Sequence, residues 1–141
     1  MATALLFSCS LHAADGATTM FISDAWMRAS LGEVRATAAY LKIENRGAKP
    51  DRLMSISTPV AATAQVHDSA MRDGMMRMTP AEPLIIKPGQ SVQLSPGGLH
   101  VMVMGLKAPL RAGQSAPMIL HFEQAGPVEV QAEIRGLAGA K

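Results

Sequence analysis

The chain is nearly devoid of cysteine and poor in aromatic rings. Of 141 residues, one is cysteine, one tryptophan, one tyrosine and three phenylalanine. So few rings cannot build the stacking platforms on which nucleic-acid bases lie. Charge is also scarce: 17% of residues are charged, with Lys+Arg 13 against Asp+Glu 11 for a net +2. That balance excludes an electrostatic nucleic-acid binder, and no basic stripe runs through the sequence. No apolar run approaches the roughly 18 residues that a membrane-crossing helix needs. No Ser/His/Asp motif, phosphate loop or carboxylate pair marks an enzyme. Hydrophobic residues nonetheless make up 48%. Such a chain folds, and its length suits one domain rather than two.

The first fourteen residues, MATALLFSCSLHAA, contain a short apolar core from Ala4 to Phe7 followed by small residues. This is the pattern of a secretory leader lacking its basic start, as a truncated leader would. Cleavage is expected near Ala13 or Ala14. The organisation read from the sequence is a leader or disordered N-terminus over 1–19, one domain over 20–136 and a short tail over 137–141. Cys9 lies within the leader, in Leu6-Phe7-Ser8-Cys9, which faintly resembles a lipoprotein cleavage box although Phe7 fits it poorly. Without the leader the domain has no thiol, so it can form no disulfide and offer no thiolate. A soft metal would have to be held by thioether and imidazole.

From residue 20 onward, short alternating segments are separated by Gly/Pro turns. The pattern predicts strands over 21–27, 38–44, 52–57, 62–71, 75–79, 84–86, 91–94, 99–104, 118–123 and 128–134. Asn45-Arg46-Gly47, Asp73-Gly74, Lys87-Pro88-Gly89 and Ser95-Pro96-Gly97-Gly98 are among the breaks. No amphipathic helix stands out. The expected fold is all-β, a Greek-key sandwich or barrel. Trp26 and Tyr40 read as core residues of it.

What the sequence has in excess is methionine, 11 residues, alongside four histidines. In a strand, residues two apart share a face. Leu99, Val101 and Val103 would then face the core, and His100, Met102 and Met104 would face away. Asp73-Gly74 predicts a two-residue type I′ hairpin that pairs Arg72 with Met75, Met71 with Met76 and Ser69 with Met78. His67 becomes the diagonal neighbour of Met78, and His67, Met71, Met76 and Met78 share one face. Two imidazoles with two thioethers suit Cu(I), a soft d¹⁰ ion, and are poor ligands for calcium or magnesium. The residues alone leave the plainer reading open, because methionine also fills cores. Met27, Met54 and Met118 are assigned that role, Met20 is placed near the domain edge, and His121 reads as structural.

The spacing His67, ten residues, Met78, twenty-one residues, His100, one residue, Met102 resembles the signature of the periplasmic copper chaperone PCu(A)C family. So do Ala25-Trp26-Met27-Arg28, Ile43-Glu44-Asn45, Asp51-Arg52-Leu53, Met76-Arg77-Met78 and the run from His100 to Leu106, a likeness spanning about residues 20–135. The resemblance implies a cupredoxin-like domain that binds one Cu(I) through His67, Met78, His100 and Met102. It implies a non-enzymatic carrier that serves the Cu(A) centre of cytochrome c oxidase subunit II, directly or with a Sco-type copper protein. Met71, Met76 and Met104 are candidates for an outer thioether shell, with packing the role preferred for each. Two features depart from the family: Asp68 stands where some members have a methionine, and the tail lacks a His/Met-rich extension. A blue-copper electron carrier would need a cysteine that the domain does not have. The remaining alternative is a metal-free interaction module with a Met-rich face.

Overall fold

The computed structural model describes residues 19–30 and 33–136. The leader, Cys9, His12 and the tail over 137–141 lie outside the described residues, Thr19 excepted.

All ten predicted strands form, with ends shifted by up to three residues, and there is no helix among the described residues. In chain order they are β1 (Met20–Arg28), β2 (Ala36–Asn45), β3 (Asp51–Ser57), β4 (Ala61–Arg72), β5 (Met75–Pro80), β6 (Leu84–Ile86), β7 (Ser91–Leu94), β8 (His100–Leu106), β9 (Ser115–Phe122) and β10 (Gly126–Arg135). The ladder runs β4-β8-β2-β1-β10-β9-β3, and pairing of Ile56 on β3 with Ala64 on β4 closes it into a seven-stranded barrel. Closure leaves no open edge in the barrel wall. β5, β6 and β7 are additions along β4, β3 and β2. The β2–β8 and β3–β9 pairs and the parallel β1–β10 pair join segments distant in sequence, as a Greek-key order requires.

The interior is filled by alternate residues of each strand. Met27, Leu41, Ile43, Val66, Val101, Val103, Met118 and Leu120 are fully buried in it. Each such side chain contributes roughly 1.5–3 kcal/mol. Burial also sets register: a slip of one residue in β8 would turn Val101 and Val103 outward and drive His100 and Met102 into the core. Asp51 fastens the β9–β10 turn to β3. Its buried carboxylate accepts the backbone N–H groups of Arg52 (2.7 Å), Gln124 (2.8 Å) and Ala125 (2.9 Å).

Two core assignments are corrected. Trp26 and Tyr40 pair across β1 and β2 on the outer face of the barrel, because their neighbours Met27 and Ala39 take the inward positions. Their rings pack at a tilt of 40° with centroids 4.6 Å apart, so Tyr40 is buried as a core residue would be, but on the outer face. Met54 is 45% exposed, because the β3–β9 ladder is irregular between Leu53 and Ser55 and only Leu53 and Ile56 turn inward.

β4 has two halves. Residues Ala61 to His67 pair with β8 in the barrel wall, whereas His67 to Arg72 pair with β5. The second half and β5 form a hairpin arm. Its turn is the one expected: Asp73 and Gly74 both have positive φ, 53° and 76°, as a type I′ turn demands.

Candidate metal centre

The arm and the barrel wall meet at two histidines. His67 is the register partner of His100 across β4 and β8, so both rings project from the outer face side by side. Their centroids are 6.1 Å apart with the planes at 69°. A metal ion bonds an imidazole nitrogen at about 2 Å, and that nitrogen lies about 1 Å from its ring centre. Rings about 6 Å apart therefore leave room for one ion between them.

Hydrogen bonds set which nitrogen of each ring is free. His100 is buried, and its Nδ1 lies 2.9 Å from the backbone carbonyl of Gly98. A carbonyl only accepts, so Nδ1 carries the proton and Nε2 keeps its lone pair. His67 Nε2 lies 2.9 Å from Gln65 Oε1, and a neutral ring that donates to that oxygen keeps its lone pair on Nδ1. Both free atoms, His67 Nδ1 and His100 Nε2, are buried and have no hydrogen-bond partner. An unsatisfied buried acceptor costs about 1–3 kcal/mol, so two on neighbouring rings call for a ligand.

The sulfurs surround this pair. Met102 is opposite Gln65 on one side and Ala38 on the other, and Met104 is opposite Thr63 and Ala36. Met78 is opposite Ser69, one diagonal step from His67, as the hairpin count predicted. Met78, His100 and Met102 line one surface cavity of about 300 Å³. His67, Met102 and Met104 line another of about 330 Å³, so Met102 borders both. Met71 and Met76 lie opposite each other farther out on the arm. The structure thus brings His67, His100, Met78 and Met102 to one face, with Met104 next to Met102 along β8 and Met71 and Met76 farther out on the arm. His121 is elsewhere, hydrogen-bonded to Ser57.

The surroundings favour a soft cation of low charge. Among the described residues no three His, Cys, Asp or Glu side chains converge as a hard or borderline metal would need. Arg28 lines the same cavity as His100 and Met102, and its Nε is buried without a partner. A fixed positive charge repels a dication twice as strongly as a monocation.

The LpqE-like family model, a lipoprotein family by its description, matches residues 20–134. The chain belongs to the LpqE-like, PCu(A)C family. Lxx21020 of Leifsonia xyli subsp. xyli, a protein named as a lipoprotein, is 30% identical over 96% of this chain and 85% of its own length. The copper-bound PCuAC domain from PmoF2 superimposes with a TM-score of 0.67 at 28% identity, covering 84% of this chain and 93% of that one. The Cu(I) form of DR1885 from Deinococcus radiodurans gives 0.60 at 31% identity, covering 79% of this chain and 74% of that one. The cupredoxin-like fold expected of the family is the fold found. No helix among the described residues is long and apolar enough to cross a membrane.

Sequence reasoning missed Gln65, the Gly98 carbonyl and Arg28. Gln65 was the findable one, since it stands two residues before His67 on the same strand face. Its role is testable. Gln65→Ala should weaken metal binding about 10–100-fold, the usual cost of losing a partner that orients a ligand, with Tm little changed because Gln65 is exposed. Gln65→Glu keeps an acceptor at the same place and should retain affinity. Chelator competition on both variants measures this, and equal affinity in Gln65→Ala and wild type would remove Gln65 from the centre.

Proposed function

We propose that this protein is a periplasmic Cu(I) carrier that holds one ion through His67, Met78, His100 and Met102. By ligand exchange it passes copper toward the Cu(A) centre of cytochrome c oxidase subunit II, directly or through a Sco-type thiol protein. The observation that carries the reading is the pair of buried, unpartnered ring nitrogens, His67 Nδ1 and His100 Nε2, on one thioether-rich face. Four neutral donors leave the ion its single charge, and thioether sulfur favours Cu(I) over Cu(II). The Cu(I) form of DR1885 supports the same ion on the same fold, and the copper-bound domain of PmoF2 supports the same metal.

Unequal exposure of the proposed ligands supports transfer by exchange. His100 is 5% exposed, but Met78 is 54% exposed, so an incoming thiolate reaches the ion from the Met78 side. A thiolate is a stronger donor than the thioether it displaces, and copper never leaves coordination. Affinity falls on acidification, because protons compete for the imidazole lone pairs. A metal-free interaction module accounts for the exposed methionines but leaves two buried lone pairs without a partner.

The test is an anaerobic titration followed by NMR. One equivalent of Cu(I) should shift the ring resonances of His67 and His100, and adding the soluble domain of subunit II or a Sco-type protein should return them to their metal-free positions. Rings that do not respond to Cu(I) would overturn the carrier reading, and rings that respond but never discharge would overturn the named recipients.

A further inference from the structure

The hairpin arm carries thioether surface that packing does not explain. Met71, Met76 and Met78 are 64%, 57% and 54% exposed, and every residue of β5 is exposed. By register, Met71, Met76, Met78 and His67 lie on one face of the arm. Asp68, Arg72 and Arg77 alternate with them and lie on the other. The arm therefore keeps charge off the face that continues into the histidine pair, although no core covers that face.

The ladder also brings two of these sulfurs close. Ser69 N–H donates toward Gly98 on the β8 side, away from β5, which makes Ser69–Met78 a non-hydrogen-bonded pair of the hairpin. Two residues on, Met71–Met76 is a pair of the same kind, with Cα atoms about 4.5 Å apart and side chains at their closest. Met78 follows one step of about 6.7 Å nearer the histidines.

We propose that Met71 and Met76 form a second, weaker Cu(I) site, a loading station that captures the ion and hands it through Met78 to the histidine pair. This rests on His67, Met78, His100 and Met102 being the principal site. Two thioethers satisfy a linear Cu(I) ion, and having only neutral sulfur they hold it less tightly than a set that includes two imidazoles. Transfer involves no electron movement. A bond from copper to Met78 Sδ forms, the bonds to Met71 and Met76 break, and nitrogen donors then complete the principal set, with copper remaining Cu(I).

The experiment is an anaerobic titration of the full chain, labelled at the methionine methyl carbons, with Cu(I) supplied as its acetonitrile complex. The first equivalent should move the His67 and His100 rings and the Met78 and Met102 methyls. Further Cu(I) should then move Met71 and Met76. Met71→Leu with Met76→Leu keeps an apolar arm and should lose the second step, retain the first and fill the principal site more slowly from scarce Cu(I). Met75→Leu, on the opposite face, should keep both steps. Unmoved Met71 and Met76 methyls in wild type with the first step intact would overturn the loading station alone, and so would loss of the second step in Met75→Leu. Absence of the first step in wild type would overturn the principal site and the loading station together.

Discussion

Replacing His100 with alanine is expected to remove tight Cu(I) binding. Removing a residue that only orients a ligand costs about 10–100-fold, and removing a ligand itself should cost more. In the proposed site His100 would supply Nε2, a buried nitrogen with no other partner, from a ring oriented by the Gly98 carbonyl. What remains is His67 with thioethers, which bind weakly on their own. The substitution also leaves a cavity where a buried ring stood and removes a donor from the Gly98 carbonyl. Stability should therefore fall by about 1–3 kcal/mol without loss of the fold, because Val101 and Val103 still fix the register of β8. His67→Ala is the cleaner control, since His67 is only partly buried and bonded to a side chain rather than to backbone. Chelator competition gives the affinities and thermal melting gives the stability. Wild-type affinity in either folded variant would mean that its ring is not a ligand.

Most of what positions this centre was legible because β-structure has a period of two. Alternation in Leu99 to Met104 separated core valines from outward His100 and Met102, and those valines are fully buried. Asp73-Gly74 fixed the arm, since a two-residue type I′ turn leaves a single register for its flanks. These are local signals. The meeting of β4 with β8 is not local: it brings His67 beside His100 across 33 positions, and no turn between them specifies it. Only the family spacing implied that pairing.

The misreadings have the same origin. Trp26 and Tyr40 are large and apolar, so composition sends them inward, but period two gives that place to Met27 and Ala39. Alternation was available and was outweighed by residue type. Met54 failed differently, because an irregularity in the β3–β9 ladder breaks the alternation there. The tautomers were out of reach, since they depend on a carbonyl in the turn before β8 and on the pose of one glutamine.

The largest expected loss of stability comes from a residue with no side chain. Gly105 follows Met104 in β8 with φ at 71°, and a Cβ built there falls 2.7 Å from Ala62 Cβ and 3.4 Å from Ala62 N on β4. Gly105→Val puts a β-branched residue in the left-handed region, which costs about 1–3 kcal/mol on backbone grounds alone. The clash adds to it, because Ala62 Cβ is fixed to the β4 backbone and cannot swing aside, so the two strands must part. A combined loss of about 3 kcal/mol lowers Tm by on the order of 10 °C in a domain of this size. Gly105→Ala should lose less, sharing the φ penalty but lacking the branch. The strands being parted are the two that hold His67 and His100 in register, so the damage couples to the metal. An ion that binds only the folded chain stabilises it in proportion to the logarithm of its concentration over its dissociation constant. Cu(I) should therefore restore part of the lost Tm in Gly105→Val and much less of it once His100→Ala is added, where only His67 and thioethers remain to bind the ion. Equal recovery in the two would mean that Cu(I) stabilises this barrel from somewhere other than the β4–β8 histidine pair.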